Sequence, residues 1–334
     1  MAARVSLDAG SGGCASQRLI NDIFLRNFDN EFLRLQDDGA RLPPIRGEMA
    51  FSADSFTVTP LFFPGGSIGA LAVNGTVNDV AMMGAEPKYL SCAFIIEEGL
   101  ELEVLERVAA DMARACAEAG VKIVTGDTKV TPKGACDKLF ITTSGIGEIY
   151  ASPPPSGYAA RPGDVLIVSG TMGDHGFAIM ACRESLSFSA DARSDCAPLN
   201  TLVRDIIQAG GASALRDPTR GGLATTLNEI ARQSQCGVEL IEEAIPINPA
   251  VADGCSFLGL DPLYLANEGK LICAVPKERA ERVLAAMRAN KHGLGAAIIG
   301  EVKAENPGKV WARTKIGGRR FLGMLEGAQL PRIC

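Results

Sequence analysis

Four aspartates are the residues best suited to chemistry, because each lies within a few residues of a glycine, serine or threonine and close to an apolar stretch. They are Asp54, Asp79, Asp127 and Asp217. Carboxylate oxygens are ligands that Mg²⁺ prefers, and the ion usually joins them to phosphate oxygens. Any one of these aspartates could be an ordinary helix cap or turn residue. The four together favour a site that binds a nucleoside triphosphate with magnesium.

Two glycine-rich segments precede predicted helices. Gly10-Ser11-Gly12-Gly13 comes before a helix predicted over 17–27, and Gly221-Gly222 comes before one predicted from Leu223. Small residues let backbone N–H groups approach a phosphate, and the N-terminus of a helix favours negative charge. The sequence contains no GxxxxGK[ST] motif, which excludes a P-loop.

Two further residues could transfer protons. Lys129 follows Gly126-Asp127-Thr128, which we interpret as a turn, and Glu268 lies between two hydrophobic segments. Burial raises the pKa of a carboxyl and lowers that of an amine, and such shifts suit both residue types to acid–base chemistry. The alternatives are that Lys129 only contacts phosphate and that Glu268 only pairs with Lys270.

The C-terminal residue, Cys334, ends a segment unsuited to a helix or strand. The twelve residues 323–334 include two glycines and a proline, so we predict a flexible tail. Fully extended, such a tail spans about 40 Å. A thiol there could visit a site on its own subunit or on a partner enzyme and act as a nucleophile or carrier. The alternative is a terminal cysteine without a role.

The remaining composition narrows the class of protein. The ten cysteines form no CxxC pair, which argues against a zinc or iron–sulfur site. The net charge of −6 comes without a basic cluster, so we expect no nucleic-acid partner. The sequence also has neither a bilayer-length apolar run nor a signal peptide. We therefore expect no membrane association and a cytoplasmic protein.

A proline-rich segment near the middle of the chain divides it. Pro153-Pro154-Pro155 can continue neither a helix nor a central strand. We predict domains over 1–152 and 160–322, followed by the tail over 323–334. Both halves mix strands with helices, which indicates an α+β fold. The clearest elements are strands over 90–96, 138–143 and 164–169, helices over 105–119 and 279–289, and a short small-residue helix over 81–84.

Several segments together resemble the HypE family of hydrogenase maturation proteins, carbamoyl dehydratases of the PurM-like (aminoimidazole ribonucleotide synthetase) superfamily. The resemblance runs nearly end to end. Its segments are Gly10–Gly13, Phe51–Ser55, Asn78–Val80, Thr125–Val130, Val168–Gly176, Arg216–Gly222, Asn267–Lys270 and the terminal Pro331-Arg332-Ile333-Cys334.

The resemblance implies a fold and a reaction. It implies a PurM-like two-domain fold, in which the N-terminal domains of a homodimer share a β-barrel, the C-terminal domain is an α/β sandwich, and ATP binds between the domains. A HypF-like carbamoyltransferase would place a carboxamide on the terminal cysteine. ATP-dependent dehydration would then give a thiocyanate, and the cyano group would pass to iron on a HypC–HypD complex for the [NiFe] hydrogenase centre.

The resemblance also implies roles for individual residues. The Mg–ATP ligands would be the four aspartates, and Lys129 and Glu268 would polarise and deprotonate the carboxamide nitrogen on Cys334. Cofactor-binding residues would be Gly10, Ser11, Gly12, Gly13, Asn78, Gly126, Thr128, Arg220, Gly221 and Gly222. One departure is Ala9, where family members often have histidine, so we expect no catalytic side chain at that position.

Two rival functions remain open at this point. One is an ATP-gated scaffold for hydrogenase assembly, whose tail only docks a partner. The other is phosphotransfer of the selenophosphate synthetase type, which Cys14 suggests because it follows Gly12-Gly13. That family usually continues with a glycine and a catalytic lysine, whereas Ala15-Ser16-Gln17-Arg18 follows here.

Overall fold

A computed structural model describes residues 3–11, 13–184 and 192–325. Each half of the chain builds its own mixed sheet, one before and one after the proline-rich segment. Within the described residues, no helix combines the length and apolarity needed to cross a bilayer.

The N-terminal half centres on a four-stranded sheet with the order β1-β6-β4-β5. These strands are β1 Met49–Phe56, β4 Ala85–Glu97, β5 Lys122–Thr131 and β6 Leu139–Ile149, and β2 Phe62–Phe63 pairs with β3 Gly66–Ser67 in a separate hairpin. β4 and β5 run parallel, so the chain needs a crossover between them, which a helix provides. β1 and β5 are the two edges of this sheet.

Two helices, α3 Ile68–Met82 and α4 Leu102–Ala119, cover one face of the sheet. Their buried side chains, among them Leu71, Val108 and Met112, join one core with the inward residues of the strands. The predicted helix over 105–119 is confirmed as α4. Gly120 ends it in the left-handed conformation, with φ +72°, that glycine adopts most easily.

The predicted short helix over 81–84 is wrong. α3 ends at Met82, so Asp79 lies in the last turn of a helix instead of preceding one. The periodicity gave no warning, because α3 is buried on nearly every side and therefore lacks an amphipathic stripe.

The interpretation of Gly126-Asp127-Thr128 as a turn is also wrong, because these residues lie inside β5. A Cβ on Gly126 would lie 2.1 Å from the carbonyl oxygen of Cys92 on β4. The glycine therefore permits close strand packing instead of a reversal of the chain.

The segment before the sheet is helical, as predicted over 17–27, but begins earlier. It comprises α1 Gly13–Leu19, a wider π-type stretch over Ile20–Leu25, and α2 Arg26–Phe28. Phe24 stacks on Phe94 of β4 with ring centroids 4.5 Å apart, which fixes this helical segment against the sheet.

The C-terminal half contains a seven-stranded sheet with the order β13-β12-β9-β11-β7-β10-β8. Its strands are β7 Val165–Val168, β8 Ala214–Arg216, β9 Gly237–Ile241, β10 Ile272–Val275, β11 Ala297–Lys303, β12 Val310–Arg313 and β13 Arg319–Leu322. The helices are α5 Asp174–Arg183, α6 Asn200–Gln208, α7 Gly222–Ser234, α8 Pro249–Leu258 and α9 Ala280–Ala289. The predicted strand over 164–169 and helix over 279–289 are confirmed. α7 packs in one apolar core of this half, and α6 and α9 pack in another.

Candidate active site

A cluster of carboxylates lies where the two halves meet. Asp79, in the last turn of α3, accepts a 2.6 Å hydrogen bond from the Ser52 hydroxyl on β1. Asp54 lies two residues further along β1 and points to the same face. Arg220, from the C-terminal half, donates to Asp54 at 3.1 Å and links the two halves.

Mutual repulsion makes this cluster a good cation site. Burial and then repulsion from Asp54 raise the pKa of Asp79. Desolvation, followed by repulsion from Asp79, raises the pKa of Asp217 to about 7. A divalent cation would relieve this repulsion, so the donor set suits Mg²⁺. Among the described residues, no group of three or more histidine, cysteine, aspartate or glutamate side chains is placed to hold a metal ion by itself.

The loop over 217–222 brings Asp217 to this cluster and then starts α7. Gly221 and Gly222 have φ values of +71° and +61°. A Cβ on Gly222 would lie 2.5 Å from the carbonyl oxygen of Leu265 and 2.6 Å from that of Leu263. Both glycines are therefore required by the fold, and phosphate binding by this loop remains a prediction.

Glu268 lies next to the cluster and is only 4% exposed. Burial, followed by the charges of Asp217 and Asp195, raises its pKa well above the ordinary value. Its backbone is held on both sides: its N–H donates to the Asp195 carboxyl at 2.9 Å, and its carbonyl accepts from Asn78 at 3.4 Å. The raised pKa expected from the sequence for Glu268 is confirmed.

Asn78 docks one half of the chain on the other. From α3, its amide donates to the Ala197 carbonyl at 3.1 Å and accepts from the Leu199 N–H at 2.7 Å. These hydrogen bonds use both the amide N–H and the amide oxygen of Asn78 to hold the two halves together. The predicted contact of Asn78 with the nucleotide remains a prediction.

A second group of predicted residues lies on β5, away from this cluster. Asp127 and Lys129 form an ion pair at 3.4 Å and are both exposed. Two strands, β6 and β4, separate β5 from β1. At ordinary strand spacing, the backbone of β5 at Asp127 therefore lies about 14 Å from the β1 strand that carries Asp54. The strand register also places the side chains of Asp54 and Asp127 on opposite faces of the sheet. Across the four strands, Asp54 is level with Gly126, and Ser55 is level with Asp127. A single metal ion cannot join Asp54 and Asp127 of one chain.

The glycine-rich N-terminal segment lies beside this second group. A Cβ on Gly10 would lie 2.5 Å from the backbone nitrogen of Val130, so this loop packs backbone against backbone on β5. Ser11 and Gly13 are exposed next to it. Ala9, at the position where relatives were expected to have histidine, is buried. Gly12 and Cys334 lie outside the described residues.

Two residues of the site, Ser52 and Asp195, were not predicted from the sequence. Ser52 could have been found, because it lies two residues before Asp54 on an alternating strand and so shares its face. Asp195 carried no local signal, since its partner Glu268 lies 73 residues further along the chain.

Comparison with known proteins places the chain in a family. Models of AIR synthase related proteins match residues 36–149 for the N-terminal domain and 161–313 for the C-terminal domain. The carbamoyl dehydratase HypE of Rhizobium leguminosarum bv. viciae is 52% identical over 99% of this chain and 95% of its own length. The chain belongs to the HypE family. HypE of Escherichia coli K12 is 48% identical, over 99% of both chains.

Solved HypE structures agree with this assignment. A HypE whose crystal structure was solved in complex with ATP is 60% identical in sequence to this chain. The two structures match with a TM-score of 0.95 over 98% of this chain and 99% of the other. A HypE–HypF complex contains a chain that is 47% identical, with a TM-score of 0.81 over 92% of this chain and 99% of that one. The predicted family, carbamoyl dehydratase class and two-domain PurM-like fold are therefore confirmed.

Proposed function

We propose that this chain dehydrates a carboxamide carried on the sulfur of Cys334 to a thiocyanate, using ATP, in the cytoplasm. The observation that supports this most strongly is the buried Glu268, set beside Asp54, Asp79 and Asp217 where the two halves meet. The membership of the HypE family and the ATP bound to a relative give the reaction class and the cosubstrate.

The proposed reaction consumes one ATP for each carboxamide that is dehydrated. The carboxamide oxygen takes the terminal phosphoryl group of ATP, which releases ADP and makes that oxygen a leaving group. The nitrogen loses its two protons as the carbon–oxygen bond breaks, and inorganic phosphate departs. The product on Cys334 is a thiocyanate. The carboxamide oxygen leaves in the inorganic phosphate, and the two protons are released from the nitrogen.

Glu268 is the proposed base for the carboxamide nitrogen. A carboxylate with a raised pKa is a stronger base than an exposed one, and an N–H next to an activated carbon needs such a base. Its held backbone keeps the carboxyl in one place, which helps a positioned proton acceptor. Lys129 is the proposed cation that polarises the carboxamide.

Mg²⁺ would be held by Asp54, Asp79 and Asp217 together with phosphate oxygens, with Asp127 of the second copy as a further ligand. When bound, the ion would neutralise phosphate charge during phosphoryl transfer. Arg220 would then be released from Asp54 to contact phosphate, as a guanidinium is suited to do.

A homodimer would complete the site. Away from α3 and α4 the sheet exposes apolar side chains, with Phe51 71% exposed and opposite Ile146, and Ile95 also exposed. Such a patch on a soluble protein marks an interaction surface. If two copies face each other through it and close a barrel about a two-fold axis, the free edge β1 of one lies beside the free edge β5 of the other. The strand that carries Asp127 and Lys129 in one copy would then lie next to the strand that carries Asp54 in the other.

The proposed partners follow from the tail. The Tyr264 hydroxyl donates a hydrogen bond to the carbonyl of Gly323 at 3.1 Å. The start of the tail is therefore attached to a residue that precedes Glu268 by four positions in the sequence. The residues 324–334 can span roughly 36 Å when extended, enough to leave this cleft for another enzyme. A HypF-like carbamoyltransferase would load Cys334, as the HypE–HypF complex of relatives suggests. A HypC–HypD complex would accept the cyano group.

Mass spectrometry of the C-terminal peptide tests this function. After incubation with the carbamoyltransferase, carbamoyl phosphate and ATP, Cys334 should gain a carbamoyl group and then lose one water. An unmodified peptide under conditions where the partner is active would contradict the proposal, as would a scaffold that matures hydrogenase equally well with Cys334→Ala.

A further inference from the structure

A cavity of about 230 Å³ adjoins the loop that carries Glu268. Gly269 and Lys270, the two residues that follow Glu268, line it, and none of the four aspartates of the predicted metal site does. The cavity reaches the protein surface, where Leu294 of its lining is 72% exposed. It therefore joins the neighbourhood of the proposed base to solvent by a route that does not pass the carboxylate cluster.

Asp195 lies between Glu268 and this cavity. Its Oδ1 accepts the backbone N–H of Glu268 at 2.9 Å, and the residue lines the cavity. Its side chain is only 2% exposed. No group of the described residues donates a hydrogen bond to Oδ2, which has the ammonium of Lys270 3.5 Å away as its ion-pair partner. A buried carboxylate oxygen requires a donor, so we expect a water of the cavity to supply one.

The loops that carry Asp195 and Glu268 are packed closely together. A Cβ on Gly269 would lie 1.8 Å from the carbonyl oxygen of Asp195. A Cβ on Gly170 would lie 2.9 Å from Cε of Lys270, so the glycine makes room for the lysine side chain. The ion pair of Asp195 with Lys270 is thus held in place directly beside Glu268.

The proposed reaction gives Glu268 a proton that it cannot keep. The carboxamide nitrogen loses two protons in each dehydration. One leaves on the inorganic phosphate, which departs as monohydrogen phosphate, and the other is released to water. Glu268 is only 4% exposed, so bulk water cannot take a proton from it directly. A carboxylate can relay this proton, because it accepts a proton on one oxygen and, once protonated, donates it to water.

We propose that this cavity is the proton exit of the active site, with Asp195 as the relay between Glu268 and water. The proton moves from the Glu268 carboxyl to the Asp195 carboxylate and then to water in the cavity, which leaves both groups ionised for the next proton. Lys270 is a positioning residue that holds Oδ2 of Asp195. This inference rests on the proposed role of Glu268 as the base.

Asp195→Asn tests the relay, because asparagine keeps an oxygen for the Glu268 N–H but cannot take up and release a proton. Protein carbamoylated on Cys334 would be mixed with MgATP, quenched at intervals and analysed by mass spectrometry. We expect single-turnover dehydration to be at least about tenfold slower, with MgATP affinity unchanged by calorimetry. Asp253→Asn, exposed on α8, is the matched control and should react like wild type.

Imidazole should restore the rate of Asp195→Asn, since a small base in the cavity can take the proton instead of the missing carboxylate. Ala197→Leu is a second variant that changes no charge. Ala197 lines the cavity, so a larger side chain there narrows the exit. This variant should also dehydrate more slowly, and imidazole should not restore its rate.

Full-rate dehydration by Asp195→Asn or by Ala197→Leu would overturn the proton exit. A slow Asp195→Asn that imidazole leaves unchanged would overturn it too, because Asp195 would then act only through the position or basicity of Glu268. Wild-type protein that does not dehydrate its loaded cysteine would instead contradict the proposed function.

Discussion

The carboxyl of Asp195 accepts the backbone N–H of Glu268 at 2.9 Å, and its other oxygen lies 3.5 Å from the ammonium of Lys270. The Asp195 side chain is only 2% exposed. Glu268 is thus held beside a fixed negative charge that, together with burial, raises its pKa. The same contact both positions the proposed base and strengthens it.

Glu268→Gln should therefore stop dehydration while leaving ATP bound. Loss of a positioned general base typically costs 10²- to 10⁴-fold, so we expect a rate at least about 100-fold lower. The carbamoylated form of Cys334 should accumulate in the mass spectrum. Glu278→Gln, on the turn before α9, is a matched control that should react like wild type. Normal dehydration by Glu268→Gln would remove this residue from the mechanism.

Asp217→Asn should make the metal-free protein more stable. The pKa of Asp217 rises from 3.8 to about 7 on folding, so its ionisation favours the unfolded chain and stability falls as pH rises from about 4 to about 7. Asparagine removes that loss. At pH 8 in a chelator we expect the free energy of unfolding to increase by roughly 1 to 4 kcal/mol.

Thermal unfolding of this variant and of Asp253→Asn, an exposed control on α8, would measure the effect. The gain for Asp217→Asn should disappear below about pH 3, where both the folded and the unfolded carboxyl are protonated. A variant less stable than wild type at pH 8 would show that Asp217 is not repelled by its neighbours.

Local sequence patterns identify candidate residues of the site but not which of them lie together. The four aspartates stood out because short motifs surround them, and α4 stood out because its buried face recurs at helical spacing. The separation of Asp127 from Asp54 depends on strand order, which local patterns do not encode. The contact between Asp195 and Glu268 joins loops distant in sequence, and α3 is too uniformly buried to show a period.

Mixed dimers should show whether the site is shared. Glu268→Gln and Lys129→Ala would be expressed with different tags and purified as a heterodimer, each homodimer being nearly inactive. If each site combines both chains, one of the two sites in the heterodimer is intact, and the rate should recover to about half that of wild type. An inactive heterodimer would place Lys129 and Glu268 of the same chain in one site.

Phe51→Asp should break the proposed dimer. It places a charge on the apolar sheet face, where burial in a dimer without a partner is costly. Light scattering should report a monomer, with dehydration strongly reduced. Phe321→Asp, 63% exposed on β13, is the control and should stay dimeric. A dimeric and active Phe51→Asp would mean that the apolar face is not the interface.

Oxygen tracing can show whether ATP activates the oxygen of the carboxamide on Cys334. The protein would be loaded with an ¹⁸O-labelled carboxamide and given MgATP in ordinary water for a single turnover. We expect the label to appear in the released inorganic phosphate while Cys334 becomes a thiocyanate. Unlabelled phosphate alongside a thiocyanate would contradict it, because the oxygen would then have left without ever accepting the phosphoryl group.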